Sequence, residues 1–195
     1  MRRNINKRKK GFTLIELLIV IGIIAVLALA VIFTLSPAEL LREARDSNRL
    51  SDMALLKTSI SLYLTDVTVP NINGGANQRC YGSYGPTSTA ACAVPFITAN
   101  SSVASISRAV NGSGWLPVNL GAIVGGSPIG VLPLDPINDV NYYYLYISTS
   151  SPGITFKLAA RIESAKYSSG GPSDVVSNDG GSSGLWYETG TELTL

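Results

Sequence analysis

Residues 11–35 read GFTLIELLIVIGIIAVLALAVIFTL, and the rest of the chain is best understood outward from them. Between residues 17 and 33 only Gly22 lacks a clearly apolar side chain. As a helix rising about 1.5 Å per residue, residues 12–35 span roughly 36 Å, more than the ~30 Å hydrocarbon core of a bilayer. Six of the fifteen basic residues (Arg2, Arg3, Lys7, Arg8, Lys9 and Lys10) stand in the first ten positions with no acid among them. The positive-inside rule keeps that cluster in the cytoplasm and places everything after residue 35 outside. Without the cluster the chain has nine basic and thirteen acidic residues, a formal charge of −4. No intrinsic nucleic-acid binding is expected from such a balance. The 195 residues suffice for one ordinary domain besides the membrane segment.

The order of features is unusual for an export signal. A secretory signal has a shorter apolar region followed by a small-residue cleavage site. Here the small residue comes first: the basic run ends at Lys10-Gly11 and the apolar run starts at Phe12. A cytoplasmic-side protease cutting at Gly11 would leave the helix intact as an anchor. The seven residues Gly11-Phe12-Thr13-Leu14-Ile15-Glu16-Leu17, behind a basic leader, closely resemble the class III signal of type IV prepilins and type II secretion pseudopilins. The resemblance implies cleavage between Gly11 and Phe12 by a prepilin peptidase and N-methylation of Phe12. It also implies residence in the cytoplasmic (inner) membrane with an extracytoplasmic C-terminal head. A membrane assembly machinery would then build copies of the chain, with other pilins, into an extracytoplasmic or cell-surface filament.

Glu16 is the one charge within the apolar segment. A carboxylate there costs about 2.5–3.5 kcal/mol at the helix centre and less towards the interface, so it needs a partner. In the pilin-like reading the partner is the Phe12 amine of a neighbouring subunit, which neutralises both groups and sets axial register. The alternative is an interfacial glutamate that reaches the headgroups or stays protonated.

Ser36-Pro37-Ala38-Glu39 has a serine at a candidate N-cap, proline at the first helical position and glutamate at the third, which reads as a capping box. The long helix is therefore expected to kink or restart near Ser36-Pro37. Leu50, Met53, Leu56, Ile60, Tyr63 and Leu64 then recur at helical spacing and should pack under the head. Arg42, Arg45, Asp46, Arg49, Asp52 and Lys57 read as the solvated face, with contacts between subunits as the alternative.

The expected division is a cleaved leader (1–11), a membrane and filament-core helix (12–35), an amphipathic helix (36–66) and a β-rich head (67–195). Val69-Pro70 and the glycines after it end the helix and open a long loop holding Cys80 and Cys92, with Pro86 and Pro95 keeping it irregular. The two cysteines have no neighbouring Cys or His to complete a zinc site and read as one disulfide in an oxidising compartment, worth on the order of 3 kcal/mol. Two unpaired thiols are the other reading. Residues 101–110 suggest a short helix or strand, and Trp115-Leu116-Pro117-Val118-Asn119 a brief extended piece. Residues 142–148, aromatic and branched, and residues 154–163, which alternate, read as two strands of an antiparallel hairpin, with Leu185-Trp186-Tyr187 as a third strand. The tyrosines of residues 142–146 are expected to fill the strand and keep wet hydroxyl tips. The fold class is α+β: a long N-terminal helix packed on a small antiparallel sheet, pilin-like by the resemblance.

Leu132-Pro133-Leu134-Asp135-Pro136 further resembles a segment of the major pseudopilins, although Ile137 replaces that family's tryptophan. The resemblance implies a calcium site in the loop beyond it. Asp135, Asp139, Asp174 and Asp179 are the hard-oxygen candidates, with Ser177 and Asn178 in support. Ordinary turn chemistry accounts for the same residues; apart from calcium, no cofactor is expected. With no histidine in the chain, scattered acids and serines lacking an activating partner, the protein does not read as an enzyme. The leading expectation is a structural filament subunit. The alternatives are a minor pilin or adhesin-like binding subunit, or a membrane-anchored extracytoplasmic binding protein.

Overall fold

A computed structural model describes residues 11–75, 79–85, 101–151 and 153–195. The basic cluster, Pro86, Cys92 and Pro95 lie outside the described residues. The chain divides into two units, Met1–Leu40 and Leu41–Leu195.

In the first unit, helix α1 runs Leu14–Leu35. Thr13 is its N-cap: Glu16 N donates to Thr13 Oγ1 at 3.3 Å, and Thr13 N donates back to Glu16 Oε2 at 2.8 Å. These reciprocal bonds satisfy two of the donors that a helix start leaves unpaired. The side chains from Leu14 to Ile32 form an apolar, unburied span long enough to cross a membrane. At Ser36 the expected kink is a break between two helices. Ser36 takes the left-handed conformation (φ 42°, ψ 70°) after α1, and helix α2 (Pro37–Asp66) starts at the proline. Pro37 has no N–H to continue α1, but at a first helical position none is needed. Ser36 bears a left-handed cost of about 1–2 kcal/mol, and its carbonyl accepts from Glu39 N at 2.9 Å and Leu40 N at 3.3 Å.

In the second unit, α2 lies against a five-stranded sheet of β1 (Arg79–Gly82), β2 (Ser101–Ala104), β3 (Tyr144–Thr149), β4 (Thr155–Arg161) and β5 (Trp186–Gly190), in the order β2-β1-β3-β4-β5. The β3/β4 hairpin stands where the sequence placed it, and the third strand, expected at residues 185–187, runs from Trp186 to Gly190. The sheet is mixed rather than wholly antiparallel, because β1 and β2 pair in parallel. β1 also carries Cys80, which the sequence left in a loop. A four-residue strand supplies too little alternation to be read from its own residues. Trp115 to Asn119 forms no strand; Asn119 makes a single bridge to Asn111 ahead of a short 3-10 turn, Leu120–Ala122.

Met53, Leu56, Ile60 and Tyr63 of α2 pack on Tyr144, Tyr146, Phe156, Leu158 and Ala160 of the sheet, with Trp115 and Leu132 closing the cluster. The opposite face buries Cys80, Leu145, Ile147, Ala159 and Trp186 with Tyr84 and Tyr143. Since both faces are covered, the hydroxyls of Tyr144 and Tyr146 are not wet tips. Tyr144 donates to Asp52 Oδ2 at 2.6 Å and Tyr146 to the Ile72 carbonyl at 2.7 Å, each from a fully buried ring. A buried hydroxyl keeps its place only with such a partner. Burial, with Asp52 as acceptor for Tyr144, pushes both phenols well above the ordinary tyrosine range.

Candidate functional site

Three sets of residues carry chemistry. The first is the start of α1. Phe12 is 89% exposed, and apart from the adjoining residues no described atom lies within 4 Å of where a Cβ on Gly11 would stand. Four residues further, the Glu16 carboxylate turns back to Thr13 and accepts from both its N and, at 2.8 Å, its Oγ1. Folded this way, Glu16 serves its own helix N-terminus, where a negative charge is favoured by the helix dipole.

The second set is an ion cluster in the second unit, and it corrects the reading of α2. Asp46 and Arg49, expected on the solvated face, are completely buried. Arg49 Nε and Nη2 hold Asp135 Oδ2 and Oδ1 at 2.6 and 2.9 Å, a two-pronged pair. Its Nη1 donates to Asp46 Oδ1 at 2.7 Å and to Glu163 Oε2 at 3.1 Å. Asp46 in turn accepts from the main-chain N of Glu163 and, at 2.7 Å, of Ser164, while Arg45 Nε donates to Glu163 Oε2 at 2.8 Å. The ring of Tyr142 lies 4.9 Å from the Arg49 guanidinium carbon. Burial opposes the Arg49 charge, but its bonds to Asp135, Asp46 and Glu163 outweigh that and leave it more basic than an ordinary arginine. The Arg45 bond, helped by Arg49, holds the Glu163 carboxyl below its usual range. Residues 46, 49, 53, 56, 60 and 63 lie on one helical stripe, but charge alone sends its first two members to the solvated face, and only their partners in the fold bring them inside. Arg42, half-exposed, and Lys57, exposed, keep the expected solvated positions, whereas Asp52 is partly buried under Tyr144.

The third set is the acids proposed for calcium, which are not brought together. Asp135 is taken by Arg49 and also accepts from Ile137 N and Asn138 N. Asp139 caps a turn through Asn141 N and Tyr142 N. The two Asp174 oxygens accept from Gly170 N and Ser177 N, so main-chain donors hold this carboxyl below its usual range. Asn178 donates to the Asp174 carbonyl, and Ser177 Oγ pairs with Ser169 Oγ. Asp179 accepts from Gly181 N and Glu188 N, and burial pushes its carboxyl up. Among the described residues no three His, Cys, Asp or Glu side chains form a metal-binding group. The sequence reading missed Lys157 and Glu188, a buried ion pair across β4 and β5. Lys157 shares its strand face with Thr155, Ala159 and Arg161, so nothing in the local pattern marked it as buried. Cys80 is disulfide-bonded, and Cys92, the only other cysteine, is not among the described residues.

At the start of the described chain an unburied apolar helix carries a single carboxylate, Glu16, in its first turn behind the small residue Gly11. Residues 6–32 match the family model of the prokaryotic N-terminal methylation motif, the class III signal of type IV prepilins. No curated protein and no solved structure matches the chain.

Proposed function

We propose that this chain is the structural subunit of a type IV pilus or type II secretion pseudopilus-like filament. In this reading a prepilin peptidase cuts between Gly11 and Phe12, Phe12 is N-methylated, and the chain waits in the cytoplasmic membrane with its head outside. Assembly machinery then moves it into a filament in which α1 joins the core. The observation that carries the reading is the methylation motif at residues 6–32 on a helix whose apolar span, Leu14–Ile32, is unburied among the described residues. In water that surface is costly at about 25 cal/mol per Å², so it calls for lipid or other copies of itself. Glu16 is the group that neighbouring subunits would pair with a Phe12 amine, giving up its bonds to Thr13 for an ion pair in an apolar core.

A second feature supports assembly. Leu41, Leu55 and Leu62 stand at multiples of seven along α2, 62%, 43% and 44% exposed, on a face separate from the one buried under the sheet. Such a stripe suits packing against another helix. The test is mass spectrometry of the N-terminus after production beside an active prepilin peptidase. The expected species begins at N-methylated Phe12, and retention of Met1 or a cut near Ala30 would refute the reading.

A further inference from the structure

Lys157 points from β4 to the sheet face away from α2, and its side chain is 1% exposed. Three oxygens converge on its Nζ: Glu188 Oε1 at 2.7 Å, the Leu193 main-chain oxygen at 2.9 Å and that of Leu195 at 3.0 Å. Glu188 is fully buried, and its Oε1 meets the ammonium as a close salt bridge. The other oxygen, Oε2, accepts from Ser182 N at 2.7 Å and Ser183 N at 3.2 Å. Glu188 N donates to Asp179 Oδ2, and Gly181 N to Asp179 Oδ1, each at 2.7 Å. Gly181 backs so closely on Glu188 that a Cβ there would overlap the carboxylate. The loop of residues 179–183 is therefore wound around an anion by main-chain N–H groups.

A carboxylate and two main-chain oxygens around one point are the donors a hard cation takes, and an ammonium fills the point. Calcium needs six to eight oxygens at about 2.3–2.6 Å, with carboxylates turned towards it. Here the Asp179 oxygens face N–H donors, Glu188 divides itself between N–H donors and Lys157, and Asp135 belongs to Arg49. A divalent ion would have to displace an ammonium tethered to β4. The described residues do not fit the calcium that the Leu132-Pro133-Leu134-Asp135-Pro136 resemblance implied.

We propose that Lys157 is the resident cation of this head, tying residues 179–183 and 191–195 to the sheet so that folding of the head needs no divalent ion. None of these residues belongs to the processed helix, so the proposal stands or falls apart from the filament reading. It is tested by thermal unfolding of the full-length protein in detergent, with millimolar CaCl2 or with EGTA. The expected Tm is the same in both, and a rise with CaCl2 or a fall with EGTA overturns the proposal. Lys157→Met, which strands Glu188, should lower Tm by about 6–20 °C; an unchanged Tm also overturns it. If that variant does not fold, the double variant Lys157→Met/Glu188→Gln separates charge from packing. A double variant more stable than the single one supports the ionic role, and one no more stable refutes it.

Discussion

Two charged residues bear opposite relations to their surroundings. Glu16 lies on an exposed apolar helix and bonds to Thr13 next to it, a contact of low cost that a neighbouring amine can replace. Glu16→Ala should therefore leave cleavage at Gly11 intact and abolish filaments, read by immunoblot of processed subunit beside electron microscopy of sheared surface material. Processed subunit with a normal filament yield would remove Glu16 from assembly. Arg49, itself fully buried, is fixed by the side chains of Asp46, Asp135, Glu163 and Tyr142. Arg49→Met leaves Asp46 and Asp135 buried without their cation, and removing one partner of such a set costs about 3–5 kcal/mol. At roughly 2–4 °C per kcal/mol for a chain of this size, Tm should fall by about 6–20 °C. A shift under about 2 °C would mean that water reaches the cluster.

On the scale of elements, α2 has two working faces. One presents Met53, Leu56, Ile60 and Tyr63 to the sheet and continues as Asp46 and Arg49; the other shows Leu41, Leu55 and Leu62 to the surroundings. The apolar half of the first face was legible from periodicity alone. Its charged half was not, because charge on a helix usually marks the wet side, and the partners Asp135 and Glu163 lie 86 and 114 residues further on. The exposed leucines give a prediction that separates folding from assembly. Leu55→Asp and Leu62→Asp should leave Tm within about 1 °C, as for surface changes in general, and reduce filament yield. Equal loss of stability and yield would show that the stripe serves the head instead.

Across the whole molecule, acid should act through carboxylates whose folded and unfolded affinities for a proton differ. Glu163 is held below its usual range, so it contributes stability that is present above the ordinary glutamate value of about 4.3 and lost as pH falls through the lower folded value. Asp52 and Asp179 are pushed up, mainly by burial, and act in the opposite sense, becoming easier to bury as they protonate. Urea midpoints measured from pH 7 down to about 3 should fall steeply only below the usual carboxylate range. Glu163→Gln should flatten that limb, and an unaltered acid slope would place the acid sensitivity elsewhere. The chain's local order already determined the prepilin-type start, the membrane-length helix, an interruption of the helix near Ser36-Pro37 and the β3/β4 hairpin. Each depends on neighbours within a few turns or on a single period, so composition and spacing suffice to specify it. Tertiary structure alone decided that Arg49 and Lys157 are interior cations, that β1 pairs in parallel with β2, and that the aspartates of the loops face N–H donors. Those outcomes depend on groups far apart in sequence meeting where water is excluded, and there a charge or a hydroxyl keeps its place only if the fold supplies its partner.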